Sequence, residues 1–470
     1  MKKINLILAV IFLTLKCSMN AQVPVLMGMT YSGGANNYGT MFKINGDSTG
    51  FQVVHDFESA TGRSPQGSMF RANNNILYGM TRLGGLDSSG VIFSFNPNTL
   101  IYTEIIDLNG LNGKTPSTNN DFMQGSNGKL YCTINGGGDS SRGVIGCLDP
   151  SNNNYSVLHS FSASTFFSPA SPAIQLNNGL MYGLCPVGGS LHQGGIYSFD
   201  INGNIYSQIH NSINTTGNAM RGYIVQYNDT IIYGCASGGG LHGDGAIFSY
   251  NLINNTYTDL FDFTAAINGG VSVSGFMKAS NGLLYGTSGT SSTNGPNYWG
   301  TLFSFDPSIN LFTVIHYFND TAGRFPVGGL LQASDGKLYG MTQSGGANYG
   351  GVVYSYDIIT NTYTVIHNFN GNDGNSPFGN LTEITETSTG VSGLSKENNV
   401  TVYPNPTTST LTIHQDTYSP NQQIIITDVL GNRVYSQALN TATETIDISQ
   451  LSSGIYFYEV SGKRGKIIKE

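Results

Sequence analysis

From residue 25 to about residue 385, short apolar runs rich in Val, Ile, Tyr and Phe alternate with polar turns built from Gly, Asn, Asp and Ser. Within 329–369 the runs are 329–333, 337–342, 352–357 and 362–369, separated by Asp335-Gly336, Gly345-Gly346 and Thr360-Asn361. Runs of this length bounded by such turn pairs predict four β-strands.

The pattern repeats along the chain. The segment LYGMT at 338–342 has counterparts at 26–30, 77–81, 130–134, 181–185, 232–236 and 284–288, so its third residue falls at 28, 79, 132, 183, 234, 286 and 340. Four strands in each interval of 51 to 54 residues match a β-propeller blade of kelch-like length. The expected fold is all-β, a seven-bladed β-propeller with about 52 residues per blade. The first repeat lacks an initial strand, whereas an extra copy, 377–384, follows the seventh and resembles 65–72 and 326–333. This C-terminal strand is expected to complete blade one, closing the ring and removing an exposed sheet edge.

Ahead of the repeats, Lys2, Lys3 and the apolar run 4–15 read as a secretory signal cleaved after Ala21. A run that short does not span a bilayer, and no transmembrane segment is expected in the mature chain. Residues 22–385 then form the propeller, and the Thr-, Ser- and Gly-rich 386–397 a linker. Residues 398–470 form a small β-sandwich, with strands expected at 400–403, 410–414, 423–428, 433–438, 444–447, 454–461 and 465–469.

Composition narrows the partners. Charged residues are 10% of the chain, against about 25% ordinarily. Loss of Lys2, Lys3 and Lys16 with the signal takes the formal charge from -8 to -11, which argues against nucleic acid or an anionic membrane. Cys132, Cys147, Cys185 and Cys235 fall at different places in the repeat and read as small residues in tight strand positions. With no CxxC pair there is no zinc or redox spacing. No cofactor is expected, and the chain is expected to be a monomer.

The tail carries VYPNPT at 402–407, DVLG at 428–431, IDISQL at 446–451, GIYFY at 454–458 and GKIIK at 465–469. In this combination it resembles the type A C-terminal sorting domain of the type IX secretion system of Bacteroidetes. The resemblance implies passage through the periplasm to the medium or the outer cell surface, with the secretion machinery as partner. It marks Pro404, Asn405, Pro406, Gly431, Gly454, Tyr456 and Lys469 as the sorting signal. The repeats, through LYGMT and the run GGANYG at 345–350, resemble the GloVer tandem repeat of Gloeobacter and Verrucomicrobia, which implies the fold and little chemistry. The third repeat departs most, with Cys132 for the Gly and Gly146 for the aromatic.

Residues that recur in every repeat are architecture. Tyr78, Tyr131, Tyr182, Tyr233, Tyr285 and Tyr339 hold one such position and read as packing between sheets. His55, His159, His210, His316 and His367 hold another, where Ile106 and Phe261 stand in the remaining repeats, so this position is not a ligand or base. Function is expected where copies differ. Strand parity puts the loops between second and third strands on the same face as the connections between blades. That face carries Tyr38, Tyr298, Trp299 and Tyr349, an aromatic sector suited to a glycan or protein ligand. It also carries Arg63, Lys114 and Arg324, suited to a carboxylate or sulfate. His192 and His242, with Asp244, give a weak metal candidate.

No HExxH, P-loop or EF-hand pattern occurs. Asp121 and Glu104 lie outside the repeat template, and nothing in the sequence pairs them. The preferred expectation is a non-catalytic binding propeller at the cell exterior. A secreted polysaccharide-degrading enzyme and a purely structural surface protein are the alternatives.

Overall fold

The computed structural model describes residues 23–117, 120–290, 299–385, 400–415, 422–429, 431–460 and 463–470. The expected signal 1–21 and linker 386–397 lie outside them. Contacts divide the chain into two compact units, 1–387 and 388–470.

In the first unit each LYGMT-like segment forms the second strand of a four-stranded antiparallel sheet, and its third residue faces the strand that follows. Gly28 pairs with Phe42, Gly79 with Phe93, Gly183 with Tyr197, Gly234 with Phe248, Gly286 with Phe303 and Gly340 with Tyr354. A Cβ on any of these glycines would stand 2.3 to 2.8 Å from the facing ring, closer than carbon atoms approach. The glycine is what lets the ring lie flat across the strand. In the third repeat the pair is Cys132 with Gly146, and the space over Gly146 is taken by Tyr155, whose hydroxyl would be 2.2 Å from a Cβ there. The two departures in this repeat are therefore one reciprocal exchange.

Seven such sheets occur among the described residues. The first takes its inner strand, Asn375–Ile384, from the far end of the repeats and pairs it antiparallel with Val25–Ser32. The fifth and sixth run together as one eight-stranded sheet through a parallel bridge between Tyr223 and Gly275. The apolar cores lie between sheets. Met29 and Phe57 of the first meet Leu77 and Phe95 of the second, and the same holds around to Tyr339 and Val353 of the seventh, which meet Leu26, Phe42 and Leu381 of the first. Packing is thus cyclic, and the late strand covers an edge that would otherwise be open.

The recurrent histidines form a belt on the outer strands. Each stacks on an aromatic of the next sheet: His55 on Tyr102, His159 on Tyr206, His210 on Tyr257, His316 on Tyr363 and His367 on Phe51, with centroids 3.7 to 4.4 Å apart and planes within 9°. Phe261 on Phe312 does the same at 4.2 Å, which explains why Phe replaces His. Burial holds all five imidazoles below their ordinary range, His316 at about 4. Cys132, Cys147, Cys185 and Cys235 are buried.

The second unit has two antiparallel sheets. One contains Val400–Tyr403, Thr410–Gln415 and Thr443–Asp447, the other Gln423–Thr427, Arg433–Ala438, Gly454–Val460 and Lys463–Lys469. They share one core that includes Leu411, Ile413, Ile424, Ile446 and Ile467.

Two outcomes are expected. Gly234→Ala forces its methyl into Phe248 and should cost about 1–3 kcal/mol in urea unfolding, with part recovered by Phe248→Leu in the same chain. The stacked histidines bind fewer protons folded than unfolded, so their contribution is complete above about pH 6.5 and is lost as pH falls toward the lowered folded values. The melting temperature should fall over that window, and His316→Phe should make the fall shallower. An unchanged acid profile would reject the assignment.

Candidate functional site

The two loop families meet on one face, as strand parity requires. The N–H groups of Ser64, Thr115, Ser168, Ala219, Phe325 and Ser376, each in a connection between sheets, donate to the carbonyls of Tyr38, Ser89, Arg142, Gln193, Trp299 and Gly350 in the neighbouring loops, at 2.7 to 3.2 Å. All six donors hold a positive φ of 45–57°, uncommon for residues with a side chain.

Side chains reinforce these seams. The Arg63 guanidinium carbon lies 5.2 Å from the Tyr38 ring centre, and that of Arg324 lies 4.5 Å from Trp299 and 5.5 Å from Tyr349. In the third repeat the roles reverse, with Arg142 4.4 Å from Phe167. Trp299 also meets Phe325 edge-on at 5.5 Å, and Arg324 reaches Asp320 at 3.2 Å. The Nε atoms of Arg63 and Arg324 are buried without a hydrogen-bond partner among the described residues. Tyr38 and Trp299 are half-buried, whereas Tyr349 is 63% exposed.

Lys114 is exposed, its backbone bridged to Gly136, and Tyr298 lies outside the described residues. His192 and His242 are exposed on separate loops, while Asp244 spends its carboxylate on the Ala265 N–H at 2.8 Å. Among the described residues no three His, Cys, Asp or Glu gather as a metal site would require. In the second unit Asn405 pins the last strand, donating to the Lys466 carbonyl at 2.6 Å and accepting the Ile468 N–H at 2.8 Å. Pro404, Pro406 and Gly454 are exposed, Lys469 is buried, Gly431 turns at φ 86°, and Tyr456 donates to the Ser452 carbonyl at 2.9 Å.

A second constellation was invisible in the sequence. Register aligns the inner strands: Phe70, Met123, Ile174, Val225, Met277, Leu331 and Thr382 each pair with the same position of the second strand. Two residues earlier stand Ser68, Asp121, Pro172, Tyr223, Gly275, Gly329 and Asn380. These seven converge. Tyr223 donates its hydroxyl to Asp121 Oδ2, and the Ser68 N–H donates to Oδ1 at 2.6 Å. Ser68 Oγ lies 3.1 Å from the Tyr223 hydroxyl and accepts the Asn380 N–H at 2.8 Å. Asn380 Oδ1 accepts the Gly329 N–H. A Cβ on Gly329 would stand 2.8 Å from Asn380 Oδ1 and 3.1 Å from the Tyr223 ring.

One tyrosine from the fifth sheet thus touches residues of the first, second, third, sixth and seventh. Asp121 is 5% exposed and has no cationic partner among the described ion pairs. Burial pushes its carboxyl up, opposed by the Ser68 and Tyr223 hydrogen bonds. The sequence reading that nothing pairs Asp121 is corrected, because Tyr223 lies 102 positions away and only ring closure joins them. The available signal was that this template column differs in nearly every repeat. Glu104 is also paired. Burial, then its hydrogen bond to Asp107, pushes its carboxyl up.

Comparison with known proteins adds the following. Residues 16–195 and 168–403 match the Gloeobacter/Verrucomicrobia repeat, and residues 401–470 match the secretion system C-terminal sorting domain. No curated protein matches the chain. Among solved structures, a Bacteroides fragilis protein provisionally named a 6-phosphogluconolactonase is 10% identical, with a TM-score of 0.53 over 78% of this chain and 99% of its own. A Bacteroides uniformis protein of the same provisional name is 11% identical, with a TM-score of 0.50 over 76% of this chain and 99% of its own. At such identities the likeness is one of fold.

Tyr223→Phe removes one of the donors that hold the buried carboxylate. It should cost about 1–3 kcal/mol. Because Asp121 binds its proton more readily folded than unfolded, its stabilising effect fades as pH rises through the raised folded value. Losing a donor raises that value further, so the penalty in urea melts should be larger at pH 8 than at pH 5. A pH-independent penalty would contradict the assignment.

Proposed function

The chain belongs to the Gloeobacter/Verrucomicrobia repeat family and, by its sorting domain, is a secreted or cell-surface protein, and on that premise we propose that it works outside the cell as a binding module. The repeat domain is read as a seven-bladed β-propeller, and the tail as a two-sheet sandwich that engages the type IX secretion machinery. The ligand is a glycan or protein segment held on the face that carries Tyr38, Trp299 and Tyr349.

One observation carries this reading. Arg324 is held by Trp299 and Tyr349, its buried Nε has no hydrogen-bond partner among the described residues, and Tyr349 is open to solvent. A guanidinium oriented by aromatic faces has little left to order on binding, and a ligand carboxylate or sulfate would take the place of the exposed Asp320 carboxylate that it now meets at 3.2 Å. The adjoining exposed ring offers apolar area for stacking. Arg63 over Tyr38 repeats the device two repeats further around the ring.

A catalytic reading rests on a different place, the Asp121–Tyr223 pair. It supplies one carboxylate and one phenol, where glycoside hydrolysis ordinarily uses two carboxylates, so the binding reading is preferred.

On arrays of neutral and acidic glycans and in pull-downs of surface proteins, the mature chain should retain ligand. Trp299→Ala and Arg324→Ala should each weaken it about tenfold or more, a loss of about 1.4 kcal/mol. Retention unchanged by both substitutions would reject the aromatic sector as the contact.

A further inference from the structure

Beside the Asp121–Tyr223 pair lies a cavity of about 140 Å³ lined by Ser68, Asp121, Tyr223 and Asn380 together with Phe70, Phe122 and Thr382. Its lining includes residues at the convergent position and the one or two that follow in the same strands, so it lies toward the turns between inner and second strands. That is the side away from the aromatic sector.

The hydrogens around this cavity are already committed. The Tyr223 hydroxyl proton goes to Asp121, and the Ser68 hydroxyl lies within reach of both the Tyr223 oxygen and the Asp121 carboxylate. The Thr382 hydroxyl donates to the Met69 carbonyl, and the Asn380 side chain donates to Tyr223. What remains is acceptor capacity: a lone pair on the Asp121 carboxylate beyond its three donors and the second lone pair of Thr382 Oγ1. The lining contains one acidic side chain and no basic one, and Asp121 has no cationic partner among the described ion pairs. Walls of Phe70, Phe122, Pro172 and Leu381 are apolar or aromatic. A buried carboxylate is stabilised by an opposite charge that can also donate hydrogen bonds, and aromatic faces favour the same charge.

We propose that this cavity is a binding site for a small primary ammonium compound, with the NH3+ group donating to Asp121 and Thr382 and a short alkyl body against Phe70 and Phe122. At about 30 Å³ for a water-sized group, the volume admits four or five such groups, the size of a propyl- or butylamine. An ammonium group has three donors and no acceptor, matching the unspent side of the network. This site is independent of the glycan or protein reading.

The test uses the mature full chain and calorimetric titration with n-propylammonium, n-propanol, propionate and n-propyltrimethylammonium, with sodium and potassium chloride as ionic controls. Propylammonium is expected to bind and raise the melting temperature, while the alcohol, the carboxylate and the salts do not. The trimethyl analogue keeps the charge but has no N–H, and should bind at least tenfold more weakly. Asp121→Asn keeps the shape and removes the charge, and should weaken propylammonium at least tenfold. If Asp121→Asn does not fold, the ligand series on the unaltered chain decides. Equal binding of alcohol and amine, undiminished binding of the trimethyl analogue, an equal response to simple salts, or full affinity in a folded Asp121→Asn chain would each overturn the proposal.

Discussion

The structure depends on a steric bargain made in six of the seven sheets: a glycine in the second strand admits a flat aromatic ring from the third. Rings so placed extend toward the next sheet and become the core between sheets, as Phe42 does against Tyr339 and Phe369. The core is therefore distributed around the ring. A methyl group on one glycine displaces the ring that two sheets share, which is why the third repeat changes both partners together, Cys132 and Gly146, and recruits Tyr155.

Cyclic packing has a second consequence. Repeats that are alike in their strands deliver one residue each to the middle, and at that column they are unlike. Glycines at 275 and 329 make room, Tyr223 fills it, and Asp121, Ser68 and Asn380 satisfy the phenol. A polar cluster closed in this way holds positions far apart in sequence at fixed distances, and it leaves a carboxylate buried beside a small cavity with only hydrogen bonds to steady it. On the loop face the solution is different. Arginines on aromatic rings rivet neighbouring loops, and where a ring stays exposed, as at Tyr349, the rivet also becomes a surface for recognition. In a chain with so few charges, each such guanidinium is a large local feature of the electrostatic surface.

The sequence by itself determined what is periodic and what is an address. The spacing of LYGMT, the turn pairs and the surplus strand near 377 were enough to anticipate the four-stranded sheets and the strand that completes the first, because strand alternation and turn chemistry are local properties. The histidine column was legible as a packing position, since His210 and Phe261 stack alike on the next sheet. The tail motifs were legible because Asn405 and the glycines act over short distances or against the adjacent final strand. Only the tertiary structure decided the centre. Whether Asp121 is an idle loop carboxylate or half of a buried pair with Tyr223 turns on closure of the whole ring, and the contacts that close it are set by packing between sheets that are distant in sequence.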